Sequence, residues 1–420
     1  MRYQSATLKY KVHFFFVEIS DCLILYDNSE RLFDPKANFI YMSLYCSSEL
    51  METRRDVLQK SGIVAALGTT GLAGCLGGDE EEGDDDTVTA AYVYDEPVAD
   101  IGWTNTHEKT RKALEEEFDW YETQVVEDIS PSEAASTFND LANQGVDVIE
   151  AATFDYGEPA ADVVQDHDDL FIETPRIVPV DTYDGDQLGY YLGRLEDACY
   201  VAGKAAGMLT ETNLLGYVMP FDIASTVTEL NALMLGARSV NEDAELIIRR
   251  TNSWYDPPAE QDAAESLVEE GADVLGYRVS SPTTMEVAEE NDLWSYGYAD
   301  SFSGTDIEYD KYITSRMWDW TPFYRQTAEA ARDGELGDSS RFSLDELRGN
   351  YFGIPEGGVT LDDYGSGVPS EVVDEMDSTI EAIESGEITS QDMFEGSMYS
   401  DMSQFERVTT SEEYVEGVLD

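Results

Sequence analysis

The chain has 420 residues, with 25 Lys and Arg against 88 Asp and Glu and a formal net charge of −63. That length allows two or more domains, and that charge argues against nucleic acid as a partner, because phosphates would be repelled. The excess runs the length of the chain: beyond Cys75 there are 17 basic and 80 acidic residues, and only four lysines (Lys109, Lys112, Lys204, Lys311). Self-repulsion on this scale opposes a compact state at low salt. At molar salt the Debye length falls to about 3 Å and the penalty fades, so the composition points to a salt-rich interior or milieu.

Residues 1–50 differ from the rest, with five basic and six acidic residues and two of the four cysteines. They read as an N-terminal extension ahead of the true start. Residues 51–75, "METRRDVLQKSGIVAALGTTGLAGC", combine Arg54 and Arg55, an apolar run of small residues, and "LAGC" ending at Cys75. This is the layout of an export signal, too short and Gly-rich for a stable membrane span. The arginine pair suggests the twin-arginine route. "LAGC" resembles a lipobox, in which Cys75 carries the lipid; the alternative is a chance apolar patch. Residues 76–86, "LGGDEEEGDDD", read as a disordered acidic tether. The expected location is the extracytoplasmic face of the cell membrane, lipid-anchored. Beyond Cys75 only Cys199 remains, which excludes an internal disulfide or a cysteine metal site there.

From Thr87 short apolar strands alternate with amphipathic helices. "VTAAYVY" predicts a strand and "THEKTRKALEEEF" a helix. "ETQVVEDI" with "PSEAASTFNDLANQG" and "VDVIEAATF" with "GEPAADVVQDH" form the next pairs, before "LFIE". The rhythm resumes with the small-residue helix "LEDACYVAGKAAGML", then "LLGYVMP", "STVTELNALMLGARSV", "AELIIRRTNS", "PPAEQDAAESLVEEG", "ADVLGYRV", "PTTMEVAEEN" and "LWSYGYA". Such alternation implies right-handed crossovers and parallel sheets covered on both faces: an α/β protein of two similar lobes. From Tyr351 the pattern gives one helix, "SEVVDEMDSTIEAIESG", in a turn-rich tail.

In open parallel sheets, ligands bind outside the carboxyl ends of the strands. That rule selects Trp103, Phe154, Tyr156, Phe221, Trp254 with Tyr255, and Asp300. Tertiary burial would explain any one of these rings alone; their recurrence in both halves favours an aromatic-lined cleft. Rings on two sides suit a flat heteroaromatic ligand, at about 1–3 kcal/mol per stacked base. Asp256 stands where an N-cap belongs, before Pro257 at the first helical position, which fixes the chain two residues after Trp254.

"YYLGRLEDACYVAGKAAGMLTETNLLGYV", "PFDI", "LGARSVNEDAEL", "NSWYDP" and "EEGADVL" closely resemble the basic membrane protein family of substrate-binding lipoproteins, the extracytoplasmic components of ABC importers for purine nucleosides and related compounds. "DIGWTNTH" and "TSRMWDWTPFY" resemble the branch that binds purine bases such as adenine, and the likeness runs from about Val88 to Gly386. The resemblance implies a class I periplasmic-binding-protein fold: two Rossmann-like lobes, three crossover strands forming a hinge, and a ligand cleft between the lobes. The expected lobes are residues 87–185 with about 312–345, and 186–311 with about 346–420. The resemblance gives Trp103 and Trp254 stacking positions, places Phe221 near the site, and carries over Asp100 from the first loop. The family's base-binding aspartate aligns with Ser301, one position after Asp300, so either Asp300 takes over by a small shift or the polar contact has changed. Trp318 stands where the nucleoside-binding branch tends to carry a lysine, which leans toward a free base.

Trp318 and Trp320 otherwise read as hinge or core packing. His107 reads as a helix-surface residue or a ligand contact, and Arg194 as an ion-pairing partner of Glu196 or Asp197. The implied function is capture of a purine base or nucleoside and delivery to an ABC permease and its ATPase, without a cofactor or metal. Alternatives are another small heterocycle or a role feeding a sensor. Nothing in the sequence assembles a nucleophile with a base, so an enzyme is not expected.

Overall fold

The structure, a computed structural model, describes three strands within residues 5–27 and residues 87–419 except 178, 179, 181, 184, 303–308 and 344–348. Arg54, Arg55, Cys75 and the acidic tether lie outside the described residues. The chain divides into two compact units, Met1–Glu80 and Glu81–Asp420. In the first, β1 (Ser5–Thr7), β2 (His13–Ile19) and β3 (Cys22–Asp27) form an antiparallel sheet in the order β1-β2-β3.

The second unit begins with β4 (Val88–Val93), α1 (Trp103–Glu117), β5 (Tyr121–Val126), α2 (Pro131–Ala142), β6 (Val148–Ala151), α3 (Gly157–Val164), β7 (Phe171–Thr174) and β8 (Leu188–Gly193). There follow α4 (Glu196–Leu209), β9 (Leu214–Met219), α5 (Ala224–Val240), β10 (Glu245–Arg250), α6 (Pro257–Glu269), β11 (Val274–Tyr277), α7 (Thr283–Glu290), β12 (Trp294–Ala299) and β13 (Tyr312–Trp318). The last part holds α8 (Thr321–Asp333), β14 (Gly349–Phe352), β15 (Val359–Leu361), α9 (Ser370–Glu384), α10 (Ser390–Met393), α11 (Gln404–Thr410) and β16 (Val418–Leu419).

Two sheets organise this unit, one in each lobe. The first runs β14-β8-β7-β6-β4-β5 and the second β15-β13-β12-β11-β9-β10-β16. All pairings in both are parallel except β13 with β15. Strands buried on both faces explain the apolar run of β11, where every residue is buried; β6 is buried throughout as well, with Glu150 inside it.

The lobe boundaries differ from those expected at 186, 312 and 346. β8 belongs to the first sheet and β13 to the second, so the chain crosses between lobes after Gly193, after Trp318 and after Phe352. The crossings lie side by side: the Arg194 N–H donates to the Phe352 carbonyl at 2.7 Å, and the Asp319 N–H to the Gly358 carbonyl at 3.2 Å. Arg194 fastens this hinge, donating to Asp197 at 3.1 Å and Glu356 at 3.0 Å. Glu196 instead accepts from the Tyr351 hydroxyl.

Helix ends follow local chemistry. Asp256 caps α6 by accepting from the Ala259 N–H at 3.2 Å, with Pro257 at the first helical position. Gly334 ends α8 in the left-handed region, φ 70°. The small residues of α4 let it meet α5 backbone to backbone: a Cβ on Gly203 would lie 2.0 Å from the Leu233 carbonyl oxygen, and one on Gly236 would lie 2.2 Å from that of Tyr200. Among the described residues, no helix is long and apolar enough to cross a membrane.

Candidate functional site

Outside the carboxyl ends of the two sheets lies a cavity of about 150 Å³, walled by both lobes. The first lobe contributes Trp103, Phe154 and Leu192, with the carboxylates Asp95, Glu96 and Asp155. The second contributes Trp254, Arg278, Tyr298 and Ile223, with Ser225 and Ser280. Of the residues the strand-end rule selects, Trp103, Phe154 and Trp254 line this cavity.

Trp103 opens α1, and Gly102 before it has φ 102°, a conformation that favours glycine. The indole Nε1–H donates to the Ala152 carbonyl at 2.6 Å, and the ring meets Trp318 edge-on at 4.8 Å. These contacts fix the plane that Trp103 offers to the cavity. Trp254 sits in the turn between β10 and α6; its carbonyl accepts from the Ser280 N–H at 2.8 Å, tying together two strand-end loops. Phe154 is 40% exposed at the cavity wall, with the Arg176 guanidinium 4.4 Å from its ring centre.

Other expected site residues lie elsewhere. Tyr156 is fully buried, edge-on to Phe138 at 5.5 Å, with its hydroxyl bonded to the Ile129 carbonyl. The one-turn helix Phe154–Tyr156 sends successive rings in different directions, so only Phe154 reaches the cavity. Phe221 stands behind the site, edge-on to Trp254 at 5.5 Å, and supports that ring. Asp100 is exposed on the loop before α1, outside the cavity lining; its backbone carbonyl accepts from the Asn105 side chain at 2.7 Å.

Asp300 also departs from expectation. It is 3% exposed, accepts from the Gly102 N–H, and pairs with Lys109 at 2.9 Å. Both of its oxygens are therefore spent on the opposite lobe rather than offered to the cavity. Ala299, with φ 69°, holds the left-handed backbone that presents this aspartate. His107 is neither on the surface nor in the cavity. It is fully buried and stacked on Trp320 at 4.4 Å, and burial pushes its imidazole well below the usual range. Trp318 and Trp320 are buried packing residues, as expected.

Sequence reasoning missed the charged residues of the cavity. Asp95 follows β4 and Arg278 follows β11, so the same strand-end rule reaches them once charges are sought as well as rings. Burial raises the Asp95 carboxyl, against its own backbone N–H and the Thr153 hydroxyl, and Asp155 adds to the rise. Burial and then Asp95 raise Glu96. Arg278 is 7% exposed and donates Nε–H to Glu229 at 2.7 Å and Nη1–H to the Tyr298 hydroxyl. Its guanidinium lies 4.4 Å from the Tyr298 ring centre, 4.8 Å from that of Trp318 and 5.7 Å from that of Trp254. Burial opposes the charge on Arg278, while Glu229 and Tyr298 sustain it. Among the described residues, no group of three or more His, Cys, Asp or Glu could hold a metal ion.

Two α/β lobes joined by three crossings, with a cavity at their strand ends, define a two-lobed binding protein of the periplasmic type. The family model of PnrA-like ABC transporter substrate-binding proteins (Bmp) matches residues 87–392, and the chain belongs to that family. The Haloferax volcanii protein TsgA13, named for glucose binding in an ABC transporter, is 34% identical over 404 residues, 87% of this chain and 97% of that one. A purine-binding protein of Brucella abortus is 27% identical over 308 residues, 72% of this chain and 83% of that one. A solved solute-binding protein of an ABC transporter from Conexibacter woesei shares the fold, with a TM-score of 0.58 at 20% identity over 72% of this chain and 98% of that one. The protein is thus a substrate-binding component of an ABC transporter, which delivers a small-molecule ligand to the permease and its ATPase and catalyses no reaction.

Proposed function

We propose that the protein is a lipid-anchored receptor on the outer face of the cell membrane that captures a purine, as the free base, for import. The observation that carries this reading is the pair of indoles, Trp103 from one lobe and Trp254 from the other, lining one cavity. A planar ring between them would gain about 1–3 kcal/mol of stacking. Contact with both lobes is what lets a ligand favour hinge closure. At about 150 Å³ the cavity is small, which favours a base without its sugar. The purine-binding relative agrees with this reading. The anchor rests on Arg54, Arg55 and the "LAGC" ending at Cys75.

A second reading is a hexose. The glucose-named relative favours it, and Asp95, Asp155 and Arg278 could bond ring hydroxyls while an indole covers the sugar's apolar face. Titration of the full chain in molar salt, followed by tryptophan fluorescence, separates the two. At least one of adenine, guanine, hypoxanthine and their nucleosides should quench the signal, and Trp254→Ala should abolish binding with the fold intact. Binding of glucose, with no response to any purine, would overturn the purine reading. Cys75→Ala should release the protein from membranes; unchanged retention would refute the anchor.

A further inference from the structure

Arg278 reaches the cavity already oriented. Glu229, on α5 and 3% exposed, takes its Nε–H, and the Tyr298 hydroxyl takes one Nη1–H. Nη2 has no hydrogen-bond partner among the described residues, yet Arg278 lines the cavity. The second lobe therefore offers a fixed, charged donor beside Trp254. The wall facing it is the reverse, with the carboxylates of Asp95, Glu96 and Asp155 and no basic side chain. An anionic ligand would meet three carboxylates, and a cationic one the guanidinium. What satisfies both walls is a neutral ring with acceptors on one edge and N–H donors on another.

We infer that Arg278 is a specificity-determining residue that reads the O6/N7 edge of a 6-oxopurine, so that hypoxanthine and guanine are preferred over adenine. This inference rests on the purine reading of the same cavity. The chemistry is that of guanidinium with guanine in nucleic-acid recognition: O6 and N7 both accept, and arginine donates to the pair. Adenine presents N7 beside an N6 amino donor, which would face a second donor. The N1–H and, in guanine, the exocyclic amino group then remain for the carboxylates of the first lobe. Specificity follows from both walls, because a buried donor left unpaired is penalised.

The test is calorimetric titration of the full chain in molar salt with hypoxanthine, guanine, adenine and unsubstituted purine. Hypoxanthine and guanine should bind at least about tenfold more tightly than adenine, the scale of one good arginine–base pair. In Arg278→Met that ratio should collapse toward one, and a ratio that stays at tenfold would overturn the inference. Equal or tighter binding of adenine by the unaltered protein would overturn the inference and leave the purine reading standing. The comparison of 6-oxo with 6-amino ligands needs no variant, so it holds even if Arg278→Met fails to fold. Glucose binding with silence to all four purines would remove the purine reading itself, and this inference with it.

Discussion

The two lobes share an architecture but bury opposite kinds of ionisable group in their sheets. In the first, Glu150 of β6 pairs in register with Glu173 of β7, and both are fully buried. Neither Glu150 oxygen has a hydrogen-bond partner among the described residues, while Glu173 accepts from the Thr327 hydroxyl. Burial, and next the Glu173 charge, lift the Glu150 carboxyl well above its usual range, so its neutral form is the one the core accommodates. In the second lobe Arg316 of β13 is fully buried. It donates to the Tyr277 carbonyl at 2.6 Å and the Tyr217 hydroxyl at 3.0 Å, with the Tyr296 ring centre 5.1 Å away. Burial works against that charge, but Tyr217, Cys199 and Tyr296 sustain it. One sheet thus holds a carboxyl that burial keeps toward its neutral form, and the other a guanidinium that its partners keep charged.

The largest test of this contrast is Arg316→Ala. It leaves a cavity and strands the Tyr277 carbonyl, and should destabilise the second lobe by about 3–5 kcal/mol, read as a lower urea midpoint at fixed salt. Gly203→Val, a steric change in the same lobe, should drive the side chain into the Leu233 carbonyl and lower stability by about 1–3 kcal/mol without altering pH dependence. The first lobe should respond to pH instead. A carboxyl raised by folding contributes stability that is complete below its unfolded value, near 4.3. That stability is lost as pH rises through the folded value. Amide exchange in β6 should accelerate across that window while β13 stays constant, and Glu150→Gln should flatten the β6 profile. An unchanged profile in Glu150→Gln would break the comparison. The smallest effect is expected for Lys109→Met, whose side chain is 60% exposed. Loss of its pair with Asp300 should weaken lobe closure by less than about 1 kcal/mol, and less still as salt increases.

Much of the architecture was legible because alternation and strand-end position are local properties. Val88–Val93 and the Asp256 cap of α6 fall where their residues place them, as does the small-residue helix that packs on α5. The lobe boundaries were less legible, because β8 and β13 carry the same buried apolar character whichever sheet receives them. At the site, rings were overvalued and charges undervalued. Tyr156 turns into the core through one turn of tight helix, a rotation that periodicity does not register. Asp300 is claimed by Gly102 and Lys109, 198 and 191 residues away, partners that only the tertiary structure supplies. Arg278 was visible at a strand end, but its role depends on Glu229 and on the facing carboxylates.

The bond between Asp300 and the start of α1 bears on how tightly a ligand is held. Its partners are both protein groups, so it can form before anything has bound. Apparent affinity then falls with the fraction of molecules that have let go, since a competent state populated one time in ten weakens binding about tenfold. Ions that screen Lys109 would raise that fraction, so added salt should tighten apparent binding.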